Sequence, residues 1–207
     1  MTHNQSFSTK RIIITGMFTA IISVMSQIVI PTQPIPFTLS LLAIFLTGAL
    51  LEPKYAFLSA IAYLLLGAFG LPIFAGFRGG LHVLTGVTGG FIMAYPLMTL
   101  ITSISYQFSK RILKRSNYSK LITNNQLGKY NKFKKIIITM GIPSFGMVIS
   151  LMICYLIGSL WFSNISSTTI ASALTICVFP FMVLDILKIA IAVASSVILR
   201  GLIRQII

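Results

Sequence analysis

The sequence predicts an all-α integral membrane protein: a single membrane domain over 1–207, six transmembrane helices, N- and C-termini cytoplasmic. Three observations carry that expectation. Hydrophobic side chains make up 56% of the 207 residues and charged ones only 9%, against roughly 25% charged in an average soluble domain. The apolar residues come in long runs separated by short polar punctuation, as spans alternate with loops. Sixteen lysines and arginines face only two acidic residues, Glu52 and Asp185, and the basic residues gather in the connections rather than in the runs.

The first predicted span, 12–30, follows the polar start that ends in Lys10-Arg11 and is long enough to cross a hydrocarbon core of ~30 Å at ~1.5 Å per residue. It reads as a signal anchor, because no small-residue cleavage site follows it. Instead comes Pro31-Thr-Gln-Pro-Ile-Pro36, whose three prolines cannot continue a helix and are expected to form an ordered external loop. Spans 37–51 and 55–69 form a helical hairpin around Glu52-Pro53-Lys54, with proline where a new helix begins. Both are short, and in transporters short segments sit near the ligand. A glycine-rich stretch from Gly70 to Gly80 leads into a fourth span, 83–108, which itself opens on Gly86-Val-Thr-Gly-Gly90. These glycines allow close backbone approach, either to a ligand or simply between packed helices. A basic cytoplasmic loop, 109–135, precedes span 136–161, and a Ser/Thr-rich turn leads to span 177–199.

Charge sets the expected orientation. Nine of the sixteen basic residues (Lys110, Arg111, Lys114, Arg115, Lys120, Lys129, Lys132, Lys134 and Lys135) lie in the loop 109–135, and a cytoplasmic N-terminus puts fourteen of the sixteen inside. That is the positive-inside pattern. A nucleic-acid face would need basic residues interleaved with stacking aromatics on a folded surface, so the segment is read as a retained loop and no nucleic-acid partner is expected. Membrane lipid is the expected surrounding. Cys154 and Cys177 have no metal-ligand spacing, His3 and His82 are isolated, and no phosphate-binding G-x-x-x-x-G-K-[ST] motif occurs. No catalytic residue, metal or cofactor is therefore assigned.

Asp185 is the one acidic side chain inside a span, and Lys188 stands three residues on, on the same helical face. An ionisable group at membrane depth costs roughly 2.5 kcal/mol or more to insert and usually marks function. The other reading is that the two neutralise each other or tie helices together. Arg78 is the lone cation of the external side; it is suited to fork onto a carboxylate, or to stay in solvent as a loop residue. Gly16 and Ala20, four apart on the first span and extended by Thr19 and Ser23, form a small-residue face for a partner helix or for packing within this subunit.

The stretch Pro34-Ile-Pro-Phe-Thr-Leu39, the segment Leu64-Leu-Leu-Gly-Ala-Phe-Gly-Leu-Pro-Ile-Phe74, Gly79-Gly80, Thr88-Gly89-Gly90 and Asp185-x-x-Lys188 resemble the BioY family, the biotin-specific substrate-binding (S) components of energy-coupling-factor (ECF) transporters. Val87 stands where the family commonly has proline, and the basic loop is longer than usual. The resemblance implies a subunit that binds biotin from outside and docks, through its first helix, on a transmembrane coupling subunit driven by two ATP-binding subunits. Asp185, Lys188, Arg78, Phe37, Phe74, Thr88, Gly89 and Tyr95 are the expected substrate-binding residues. Gly16 and Ala20 are the expected docking residues. The resemblance also implies that this chain is not an enzyme, ATP hydrolysis belonging to the partners. The alternatives are an S component for another vitamin, since a fold does not fix its ligand, a membrane enzyme acting on lipid, or an assembly protein without a ligand. Against the enzyme stands the want of a carboxylate cluster or a nucleophile with its base.

Overall fold

The computed structural model describes residues 9–32, 35–115 and 136–206; most of the basic loop, 116–135, and Pro34 lie outside that set. Helix α1 (Thr9–Ser26) stops four residues short of the predicted span. Pro31 disfavours a helical Ile30, and Val29–Ile30 (β1) pairs antiparallel with Phe37–Thr38 (β2) instead. Helix α1 carries its polar residues by bonding them back to its own carbonyls: Ser23 Oγ donates to Thr19 O at 2.9 Å and Ser26 Oγ to Ile22 O at 2.7 Å. Thr19 turns inward, its hydroxyl reaching Ser59 O at 3.1 Å while Ser59 Oγ donates to Thr15 O at 3.0 Å. This reciprocal clasp joins α1 to the helix that carries Ser59 and takes Thr19 out of the outward small-residue face.

Helix α2 (Ser40–Leu50) is only 11 residues long, and α3 (Pro53–Ala68) opens on its proline. Short α2 lies inside the bundle, packed by α1, α3 and the helices over Tyr95–Arg115 and Phe179–Ile206. Gly48 allows a close approach, since a Cβ there would overlap the Thr99 carbonyl and the Thr102 side chain. The predicted fourth span is broken into α4 (Leu81–Thr85), α5 (Gly89–Met93) and α6 (Tyr95–Arg115). A Cβ at Gly89 would collide with Leu84 O, so the α4–α5 turn is as tight as backbone allows. The carbonyl this break exposes on Gly86 accepts the Trp161 indole N–H at 2.9 Å. Val87 packs with Phe162, Ala173 and Cys177.

Beyond the basic loop, a π turn (Ile137–Gly141) leads into α7 (Ile142–Ile165). Pro143 has no N–H to give back to Ile138, and the Ser109 hydroxyl of α6 donates to that carbonyl at 2.5 Å. Helix α8 (Ile170–Cys177) is capped by Thr169, whose Oγ1 accepts Ser172 N–H, and α9 (Phe179–Ile206) follows directly. On α9 the buried residues Asp185, Lys188, Ile189, Ala192, Val193 and Ser196 make one helical stripe, while Leu184, Ile186, Leu187 and Ile191 are exposed. That division suits a helix with lipid on one side.

Among the described residues four helical segments are long and apolar enough to cross a membrane (Thr9–Ser26, Gly89–Leu113, Ile137–Ile165 and Phe179–Arg200), and α2 and α3 are shorter apolar helices. Contacts sort the two ends of the bundle. At one, Arg11 pairs with Glu52 at 3.4 Å, Ser103 Oγ donates to Leu51 O at 2.6 Å, and Arg200 donates to Ala49 O while lying 3.9 Å over the Tyr106 ring. At the other end stand the β1–β2 pair and the turn in which Phe74 and Arg78 exchange backbone hydrogen bonds. Gly76 and Phe77 sit at φ 73° and 56° there, and Gln27 at the end of α1 grips the turn: its Nε2 donates to Ile73 O and its Oε1 accepts Phe77 N–H, each at 2.9 Å.

Candidate functional site

The buried stripe of α9 places Asp185 and Lys188, 2% and 4% exposed, against α7 and the β2 strand. Lys188 Nζ donates to Asp185 Oδ1 at 2.8 Å, and Tyr155 of α7 donates its hydroxyl to Oδ2 at 2.6 Å. Lys188 Nζ also stands 3.8 Å from the centre of the Phe37 ring, which stacks on Phe181 at 6.3 Å. Lys188 and Tyr155 thus each hold one of the two carboxylate oxygens of Asp185. Among the described residues neither ion is saturated: an ammonium has three donors and a carboxylate about four acceptor sites.

These groups line a cavity of 70 Å³, with Cys154, Cys177, Phe91 and Tyr95 in its walls. A second cavity of 50 Å³ adjoins it, lined by Tyr63, Phe74, Thr88, Ser40 and Arg78. The lobes share Ile35, Pro36, Thr38, Phe91 and Tyr95. An aromatic cluster forms the inner wall: Tyr63 meets Phe74 edge-on at 5.4 Å and stacks with Tyr95 at 6.2 Å. Their hydroxyls are anchored, Tyr63 to Ser26 at 3.0 Å and Tyr95 to Ser40 at 2.8 Å, so both rings are fixed in place. Arg78 is exposed, with Nε on Ala75 O at 3.1 Å, and it also borders an open vestibule lined by Pro31, Thr32 and Gly76.

The structure therefore brings Asp185, Lys188 and Phe37 to one lobe, Phe74, Thr88 and Arg78 to the other, and Tyr95 to both. Gly89 lines neither; it is buried where the chain turns tightly against Leu84. Gly16 and Ala20 are on the exposed face of α1, and among the described residues a Cβ on Gly16 would find nothing within 4 Å. Sequence reasoning missed Tyr63, Phe91, Tyr155 and Phe181. A tyrosine in mid-span is a signal for the first and third, because its hydroxyl must find a partner in an apolar medium. Among the described residues no three His, Cys, Asp or Glu side chains come together to hold a metal ion.

Apolar helices enclosing a small cavity, half aromatic and half ionic, define a multi-pass membrane protein built to hold a small solute with both polar and apolar parts. The chain belongs to the BioY family, whose model matches residues 1–205. It is 33% identical over 192 residues to the probable biotin transporter BioY of Pyrococcus horikoshii, covering 93% of this chain and 97% of that one. It is 30% identical over 185 residues to the biotin transporter BioY2 of Lactococcus lactis, covering 88% and 86% of the two chains. Its fold is similar to the crystal structure of the S-component for biotin from an ECF-type ABC transporter, with a TM-score of 0.71 and 25% identity over 97% of this chain and 95% of that one.

Proposed function

We propose that this chain is the biotin-binding membrane subunit of an ATP-driven ECF transporter, capturing biotin from the external side and delivering it together with a transmembrane coupling subunit and two ATP-binding subunits. The observation that carries the reading is the buried Asp185–Lys188–Tyr155 cluster, with hydrogen-bonding capacity to spare, at the wall of an aromatic cavity. Biotin's ureido ring offers N–H donors to Asp185 and a carbonyl to Lys188. Its fused rings lie between Phe37, Phe91 and Phe181. The valerate carboxylate belongs at Arg78, because Lys188 is already neutralised and Arg78 stands at the mouth with a guanidinium fork to offer. The two lobes, at 70 and 50 Å³, are smaller than the ~300 Å³ or more of a usual small-molecule site, so binding displaces the shared wall from Ile35 to Thr38.

In the bilayer this reading gives six crossings: α1, α2, α3, α5 with α6, the π turn with α7, and α9. At ~1.5 Å per residue α2 spans only ~16 Å, and it is accommodated by lying inside the bundle. The end that gathers Arg11, Glu52 and Arg200 is cytoplasmic, with the basic loop. Docking of the coupling subunit falls to the outward face of α1 around Gly16 and Ala20. Calorimetric titration of the purified protein with biotin tests the reading, with native mass spectrometry of gently purified material beside it. One saturable site is expected, with biotin as the co-purified mass. No heat with biotin, or the mass of a different vitamin, refutes it.

A further inference from the structure

Arg78 reaches the mouth of the cavity from a turn, and that turn owes its shape to Gln27, which lines neither lobe. The turn has a buried foot and an exposed head. Phe74, wholly buried, packs its ring against Gly67, where a Cβ would overlap it, and exchanges backbone hydrogen bonds with Arg78 at 2.9 and 3.2 Å. Between the two the chain reverses through Gly76 and Phe77 at φ 73° and 56°. The left-handed region is ordinary for glycine and costly for phenylalanine, and such a conformation persists only where the surroundings impose it. The Phe77 ring does not impose it, being 72% exposed. Its main chain is held instead: the Phe77 N–H donates to Gln27 Oε1 at 2.9 Å.

The same amide holds the other arm of the turn. Gln27 Nε2 donates to Ile73 O at 2.9 Å and to Phe74 O at 3.2 Å, and reaches Ser23 O on its own helix at 3.3 Å. One planar group thus offers an acceptor to one side of the turn and donors to the other. A carboxylate in its place would set lone pairs against two carbonyls, and an ammonium would face an N–H. The Arg78 guanidinium is tied to the turn as well, since its Nε donates to Ala75 O at 3.1 Å, a carbonyl within the stretch that Gln27 grips. We infer that Gln27 is a positioning residue for Arg78: it stands off the cavity and, by fixing the turn, holds the guanidinium where the ligand's carboxylate arrives. The inference rests on the reading that biotin's valerate carboxylate goes to Arg78. A cation mounted on a fixed turn has less to lose in ordering when its partner binds than the same cation on a loose one.

The test is a double-variant cycle on the full-length protein, read by calorimetry with biotin and with biotin methyl ester, and with thermal unfolding alongside. Gln27→Met keeps the length of the side chain and removes its hydrogen bonds. It should raise the Kd for biotin about three- to tenfold, the cost of ordering one long side chain at binding, and leave the Kd for the ester unchanged. With Arg78→Gln already in place, Gln27→Met should add nothing, because no guanidinium remains to be positioned. If Gln27→Met lowers the unfolding temperature, Gln27→Asn, which keeps the amide but ends one methylene short, is read in the same way. Equal losses on acid and ester, or losses that add fully in the double variant, make Gln27 a support of the fold alone and overturn the inference. So does an unchanged Kd for biotin. Arg78→Gln by itself reports on the underlying reading: if it binds biotin as the unaltered protein does, the carboxylate is elsewhere and the inference falls with that reading. If Arg78→Gln weakens biotin and Gln27→Met does not, the reading stands and the inference alone fails.

Discussion

Replacing Asp185 and Lys188 together separates a binding role from a structural one. Loss of Asp185 alone strands a buried ammonium and the Tyr155 hydroxyl, and breaking such a pair costs about 3–5 kcal/mol; a single variant that fails to bind biotin therefore says nothing about the ligand. Asp185→Asn with Lys188→Met strands no charge. The asparagine oxygen still accepts from Tyr155, and methionine fills the space of the lysine stem beside Phe37, so stability is expected to change little. Biotin, however, loses its partners. Two hydrogen bonds to charged groups at about 1.5–3 kcal/mol each amount to about 3–6 kcal/mol, a rise in Kd of roughly 10²- to 10⁴-fold. Thermal unfolding and calorimetry in one detergent read the two quantities side by side. A folded double variant with unchanged Kd would remove both residues from the site.

Arg78→Gln should raise the Kd for biotin by about 10- to 100-fold, the worth of a charge-assisted bond, and leave binding of biotin methyl ester as it was; equal losses on acid and ester would take the carboxylate away from Arg78. In a background lacking Cys154 and Cys177, an impermeant thiol reagent on intact cells should label a cysteine placed at Ser166 and not one at Lys120, which lies in the basic loop outside the described residues; the opposite labelling inverts the topology. Gly16→Trp with Ala20→Trp should abolish co-purification of partner subunits while biotin binding persists, since Gly16 faces open space. Partners retained by that variant would move the docking surface off α1.

The apolar runs and basic connections were legible in the sequence because a bilayer imposes them on composition directly. What the sequence left unread is where a helix stops inside an apolar run. Ile28 to Ile30 is as hydrophobic as the turns before it, yet Pro31 and the β1–β2 pairing pull it out of α1. The run 83–108 hides a break of the same kind, at Gly86 to Thr88 between α4 and α5. Local composition is the same on both sides of each break; the decision lies with partners distant in sequence, such as Trp161 for the Gly86 carbonyl and Gln27 for the turn at Ile73 to Phe77. Hydropathy sees the medium around a residue and is blind to such partners.

The candidate site shows the same division. Asp185 and Lys188 declare themselves because a charge in hydrocarbon is conspicuous at any position, and Phe37 is reached through a motif. Tyr155, thirty residues away in sequence and as close as 2.6 Å in space, carries no charge to betray it. Yet it is the residue that decides which carboxylate oxygen points where: with Lys188 on Oδ1 and Tyr155 on Oδ2, the acid is gripped from two helices and its remaining lone pairs are aimed rather than free. A ligand then meets acceptors already oriented and loses less in ordering them. The sequence exposes the chemistry of the pair; the direction in which that chemistry faces comes from α7, and only packing brings α7 there.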